Sequence, residues 1–287
     1  MPGTLLQLIL YTLAAQAEQA GDHDLAAAIL DFEARGEHHI VEFVSPAQER
    51  LSVSQWIAST TEQGGCSFTA RYFPSRPLRI HLNTMRPTYM TDHKLQGDTD
   101  ILGRPSLDND NPAPWAIAVT FPDSVRYWWP EWQAIHPRPT SGPIWTVSYR
   151  ELPVADPGMD SPSLHVARGN LKRALNDIRE VDQSEQSGYW SNSFFLPALG
   201  LLDPASASEP FPVLPENLGL SPDREQLLRG ALRGWVFGGM GSWSDNGPSS
   251  PEIAERWEAV TQALYTTTSF ALVAAINDEQ PTSCPTP

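Results

Sequence analysis

Apolar residues recur three and four positions apart at Leu6, Ile9, Leu10, Leu13 and Ala17, the spacing of a helix with one face turned to a core. After Gly21-Asp22 the pattern restarts: Asp22 is placed to cap a second helix, Leu25, Ile29 and Phe32 share a face, and Gly36 supplies the stop. The two segments predict an antiparallel helical pair over residues 1–36. The first run also resembles the apolar part of a signal peptide, with Ala15-Gln16-Ala17 as a small-residue cleavage site. It has no positive n-region, and Gln7 interrupts it, so the core-helix reading is adopted.

From about His38 to Leu152 the periodicity shortens. The runs 39–44, 67–72, 78–82, 115–121 and 144–149 are alternating or wholly apolar and read as strands. A helix is expected over Ala47 to Ser59, but no regular strand-helix alternation follows it. A mainly antiparallel sheet of roughly five strands is therefore predicted.

Helical spacing returns after Pro162, with Leu171, Leu175 and Ile178 on one face. A further helix is expected from Tyr189 to Leu202, kinked or broken at Pro197. Pro204, Pro210, Pro212, Pro215 and Pro222 then make the stretch 203–222 a surface connector. Ser221-Pro222 and Ser250-Pro251 are matching start signals, a capping serine followed by a proline whose missing N–H costs nothing in the first turn. The helices they open carry the stripes Leu228, Leu232, Trp235 and Ile253, Trp257, Val260, Leu264. The expected architecture is one α+β domain over 1–287. A helical pair (1–36) precedes a sheet region (37–155), a helical layer (163–278) covers one sheet face, and a tail (279–287) ends the chain.

A formal net charge of −15 repels phosphate backbones, and the small basic spots Lys172-Arg173 and Arg229 with Arg233 read as ordinary helix faces, so no nucleic-acid partner is expected. No apolar run of bilayer length stands out, which points to a soluble cytoplasmic protein with no membrane partner. Lysine occurs only at 94 and 172 while arginine and alanine abound, a codon bias of GC-rich bacterial genomes. Cys66 and Cys284 lie far apart and lack the paired spacing of a zinc site, so neither a disulfide framework nor a cysteine-held metal is expected.

Familiar chemistries fail on spacing. His38 and His39 with Glu37 and Glu42 lack the H-E-x-x-H turn, and a metal there would need distant help from His81 or Asp92-His93. Asp98, Asp100 and Gly103 begin an EF-hand-like loop, but Leu102 replaces a ligand and Asn109 stands where glutamate should close it. The polar run Asp108 to Asn111 reads as a loop. No cofactor and no metal are expected.

Two stretches remain as candidates for recognition. Gly234 to Gly247 breaks the last two helices apart; Gly238, Gly239 and Gly241 free its backbone for close approach, and Trp235, Phe237, Met240 and Trp243 either plug the core or line a site. It lacks the dinucleotide and P-loop glycine patterns, and Ser242 is not in a nucleophile elbow. The second stretch, Tyr127-Trp128-Trp129-Pro130-Glu131-Trp132 with His136 nearby, gathers indoles and a carboxylate, which suit a sugar or a cationic ligand.

The expected function is a non-enzymatic binding or protein-interaction module for a protein or small-molecule partner, using Trp128, Trp129, Trp132, Gly239, Gly241 and Trp243. Its premise is that Trp243 and Trp129 border one hollow. The alternative is a hydrolase of a small polar or sugar-like substrate, with Glu131 and Asp245 as paired carboxylates; Glu42 and Asp123 are further carboxylates of unknown separation. Homo-oligomerisation is a third reading.

Overall fold

The computed structural model describes residues 3–36, 39–45, 47–74, 114–135, 143, 145–152, 161–185, 188–203, 214–237, 243, 247–248 and 250–277. Helices α1 (Gly3–Gln19) and α2 (His23–Gly36) form the opening pair. They turn at Gly21, whose φ of 78° suits a residue without a Cβ, and the Asp22 carboxylate caps α2 by accepting from the Leu25 N–H at 3.1 Å. Leu5, Ile9, Leu10 and Leu13 are all buried, so α1 is a core helix.

Six strands follow in one mixed sheet of order β2-β1-β6-β5-β4-β3: β1 (His39–Val44), β2 (Arg50–Leu51), β3 (Ser67–Tyr72), β4 (Trp115–Thr120), β5 (Val125–Ala134) and β6 (Trp145–Leu152). Four of the pairings are antiparallel, as the patterning predicts; β1 with β6 is parallel. The helix expected at 47–59 starts later, as α3 (Val53–Glu62), because Ser52 and Gln55 form a reciprocal capping box that fixes its first turn. The residues ahead of it turn through Gln48, at φ 65°, into β2. The run 78–82 lies outside the described residues.

Two strands are unforeseen, the short β2 and the long β5. The longer is β5. It contains a proline, which normally argues against an interior strand. The pairing of β4 with β5 ends at Ile117 and Trp128, so Pro130 lies beyond it and faces only β6, opposite Tyr149.

All the helices contribute to one core cluster on one face of the sheet. Phe43 of β1 stacks between Trp56 of α3 (3.9 Å) and Tyr149 of β6 (4.7 Å), and Tyr11 of α1 meets Tyr149 edge-on at 5.8 Å. The C-terminal layer comprises α4 (Leu164–Glu185), a π-helical turn (Ser191–Phe195), α5 (Leu196–Leu201), α6 (Pro222–Arg233) and α7 (Pro251–Ile276). Tyr265 of α7 joins the layer to the sheet through Trp115 of β4, 5.9 Å away. Ser221 and Ser250 occupy the N-cap positions of α6 and α7 with extended backbone, but neither side chain makes the capping bond. Ser250 bonds Glu252 instead, which lowers that carboxyl's pKa.

Two expectations are corrected. An 18-residue window of α7 reaches a mean hydropathy of 1.3, enough by length and composition to cross a bilayer, yet 61% of that window is buried within the fold, as in a core helix. Cys66 is disulfide-bonded. Distance along the sequence argues weakly against such a bridge, because loop-closure entropy grows only logarithmically with loop length. The other cysteine, Cys284, lies outside the described residues.

Candidate functional site

The Tyr127–Trp132 run is not one cluster. On a strand, neighbouring side chains point to opposite faces. Trp128 and Trp132 face the helices, while Tyr127 and Trp129 point the other way and pack with Phe73, Ala116 and Ala118 in a second, smaller cluster. Trp128 meets Trp56 at 5.5 Å, Trp132 meets His39 at 4.8 Å and Trp145 at 6.3 Å, and Trp129 lies 4.6 Å from Phe73. All three indoles are buried.

Glu131 shares the second face with Trp129. Its carboxylate accepts from Arg150 Nε at 2.6 Å, and its partner across the ladder is Ser148. On the other side of Ser148 stands Glu42, which accepts from the Ser148 hydroxyl at 2.7 Å and from Arg50 Nη1 at 2.8 and 2.9 Å. Three strands thus line up Glu131, Ser148 and Glu42, with each carboxylate already engaged by an arginine. The sequence offered these acids without a separation; the register supplies it.

Trp243 lies elsewhere. It is fully buried in the helical layer, stacked on Trp257 at 5.4 Å and 9° and flanked edge-on by Trp190 (6.0 Å) and Phe195 (5.8 Å). Its Nε1 donates to Thr261 Oγ1 at 2.9 Å, and its backbone N–H donates to the Val236 carbonyl at 3.0 Å, so two points within the glycine-rich segment are tied together. Trp235 Nε1 donates to the Phe237 carbonyl at 2.6 Å. Because the helical layer covers the face opposite Trp129, the sheet separates Trp129 from Trp243, and the expected shared hollow is corrected. Trp243 is a core anchor. Gly239, Gly241, Asp245 and His136 lie outside the described residues.

The aromatic surface beside this anchor comes from Tyr189-Trp190-Ser191-Asn192-Ser193-Phe194-Phe195, read from the sequence only as a helix. Tyr189 is 57% exposed and rests edge-on against Trp190 (5.3 Å) and Phe194 (6.2 Å). Trp190 lies against Phe194 at 5.2 Å and continues inward to Trp243. The Arg233 guanidinium sits 5.8 Å from the centre of the Phe194 ring, within cation–π range.

This arrangement has local causes. Asp182, buried on α4, accepts from the Ser191 N–H at 2.7 Å and fixes the start of the segment. The Leu196 N–H then reaches back five residues to the Ser191 carbonyl, a π-type bond. The wider turn comes immediately before Pro197, whose ring would otherwise crowd the carbonyl four residues back. The kink expected at Pro197 is thus a π turn ahead of it.

Among the described residues no group of three or more His, Cys, Asp or Glu side chains is placed to hold a metal ion. The aspartate-rich stretch 98–111 and the histidines at 38, 81 and 93 lie outside them. Comparison with protein-family models, with curated proteins and with solved structures gives no match.

Proposed function

We propose that this chain is a non-enzymatic binding module of the protein-interaction class, and that its recognition surface is the aromatic face of Tyr189 and Phe194. The observation that carries this reading is the exposure of Tyr189 on a column of rings, Trp190, Trp243 and Trp257, that is buried behind it. A tyrosine with more than half its surface in water contributes little to the core. Backed by rigid indoles, it offers apolar area and a hydroxyl at small entropic cost on binding.

The test is selection of binders from a random peptide display library. Selected peptides should lose binding to Tyr189→Ser and keep it with Ile40→Ser, which alters an exposed residue on β1. Binding that survives Tyr189→Ser sinks the placement of the surface.

One observation favours the hydrolase reading in altered form. Glu42 and Glu131 flank Ser148 from two strands apart, about 10 Å between backbones, and carboxylates leaning toward each other from there would enter the roughly 6.5–9.5 Å over which a carboxylate pair admits a water. Turnover of nitrophenyl glycosides or esters that disappears in Glu131→Gln would support it; an unchanged blank in both proteins rejects it. The binding reading takes the cytoplasm as its compartment, and a Cys66 disulfide that persists in intact cells would move it to an oxidising one.

A further inference from the structure

We propose that the partner segment is acidic and aromatic, its carboxylate held by Arg233 and its ring laid against Tyr189 and Phe194. This rests on the binding reading above and names the chemistry of its partner. The ground is a charge left over after the protein's own pairing. Arg50, Arg126, Arg150, Arg168, Arg229 and Arg256 each reach a carboxylate, and Arg224 donates to the carbonyls of Ala275 and Ile276 at the end of α7. Arg173 and Arg179 bond only the side-chain carbonyls of Asn170 and Asn176. Arg233 has none of these partners; among the described residues its guanidinium faces the Phe194 ring alone.

In a chain of net charge −15, where acids outnumber bases 34 to 19, an arginine without an ion pair or hydrogen bond among the described residues leaves its positive charge uncompensated at close range. A guanidinium over a ring keeps its in-plane N–H donors available, and these match the two oxygens of a carboxylate. Tyr189, 6.2 Å from the same ring, provides the adjoining apolar area. The surface therefore presents one fork of donors beside one aromatic step. An aspartate or glutamate next to a phenylalanine or tyrosine fits both, whereas a basic peptide meets Arg233 with like charge and the negative field of the whole molecule favours it only at long range.

The global charge has a readable consequence: acidic peptides associate against a repulsive field, so their affinity should rise with salt until screening reaches the Arg233 contact itself. A basic peptide bound only by the net charge weakens monotonically with salt.

The experiment uses fluorescence anisotropy with three labelled peptides of equal length on the full chain: one with alternating aspartate and phenylalanine, one with lysine replacing aspartate, one with serine replacing aspartate. The acidic-aromatic peptide should bind at least tenfold more tightly than the other two. Arg233→Ala should remove that preference, and Arg233→Lys should recover part of it. Tyr189→Ser should weaken the acidic and the serine peptides alike, because both share the ring contact. Binding of the serine peptide that depends on Tyr189 but is equal to that of the acidic one, and indifferent to Arg233→Ala, overturns the acidic partner while leaving the binding surface intact. If none of the peptides binds, or binding ignores Tyr189, the surface itself fails. A second copy of this chain as occupant would appear as concentration-dependent dimerisation abolished by Arg233→Ala, and would also overturn the proposal.

Discussion

Replacing Asn277 with alanine should destabilise the protein far more than a residue one position past the last helix would suggest. The Asn277 side chain docks on β3, the edge strand of the sheet: Oδ1 accepts from the Ala70 N–H at 2.8 Å, Nδ2 donates to the Ala70 carbonyl at 2.9 Å and also to Ser161 Oγ at 3.0 Å. In an antiparallel pair alternate residues turn both backbone groups away from the partner strand, and Ala70 turns its groups outward to Asn277. The amide therefore replaces a missing strand at one position. Ala70 is fully buried. Truncating Asn277 leaves two backbone groups without partners at about 1–3 kcal/mol each, roughly 2–6 kcal/mol together. At about 2–4 °C per kcal/mol for chains of this order of size, Tm should fall by about 4–24 °C. Asn277→Asp retains an acceptor for the N–H but sets a carboxylate against a carbonyl, so it should be at least as harmful. Calorimetry gives the Tm, and hydrogen exchange at the Ala70 amide should accelerate in both variants. A loss under 0.5 kcal/mol in both would refute the reasoning.

Trp243→Ala removes a fully buried indole from between Trp257, Trp190 and Phe195, and denaturant melts should show a loss of about 3–5 kcal/mol; a change below 1 kcal/mol would mean that Trp243 is not an anchor. At Gly230 a Cβ would fall 2.5 Å from Leu202 Cδ2 and 2.7 Å from its Cγ. Gly230→Ala should therefore cost about 1–3 kcal/mol despite alanine's better helix propensity, and stabilisation would show that Leu202 yields easily. Burial, then Glu33 nearby, pushes the pKa of the Tyr149 phenol well above its ordinary value of 10.0. A pKa raised by folding contributes stability below the unfolded value that is lost as pH rises from about 10 toward the folded one. Alkaline titration at the tyrosinate absorbance should thus find Tyr149 silent until the protein unfolds. Among the described residues its hydroxyl has no hydrogen-bond partner, so Tyr149→Phe should leave stability at pH 7 equal or higher, and a loss above 1 kcal/mol would reveal a missing partner.

The helices were legible because their stripes and caps are local: Asp22, Gly36, Ser221-Pro222 and Ser250-Pro251 mark boundaries within a residue or two. β5 was hidden by its own composition, since Tyr127-Trp128-Trp129-Pro130 mixes two faces and carries a proline that is tolerated only because the β4 ladder stops first. The parallel contact of β1 with β6 joins residues more than a hundred apart, which no local pattern reports. The candidate site fared worse for the same reason. Indoles adjacent in sequence were treated as adjacent in space, whereas strand alternation sends Trp128 and Trp129 to opposite sides. Tyr189 and Phe194 were overlooked because their exposure depends on the Asp182 cap and on the π turn at Ser191. Density of aromatics in residues 189–195 was the available signal.

The proposed function depends on where a partner lands. Hydrogen exchange read by mass spectrometry, with and without a display-selected peptide at saturation, measures this directly. Protection should concentrate in 188–195 and 233–237, with none gained in 127–132. Protection of 127–132 with no change at 188–195 would contradict it.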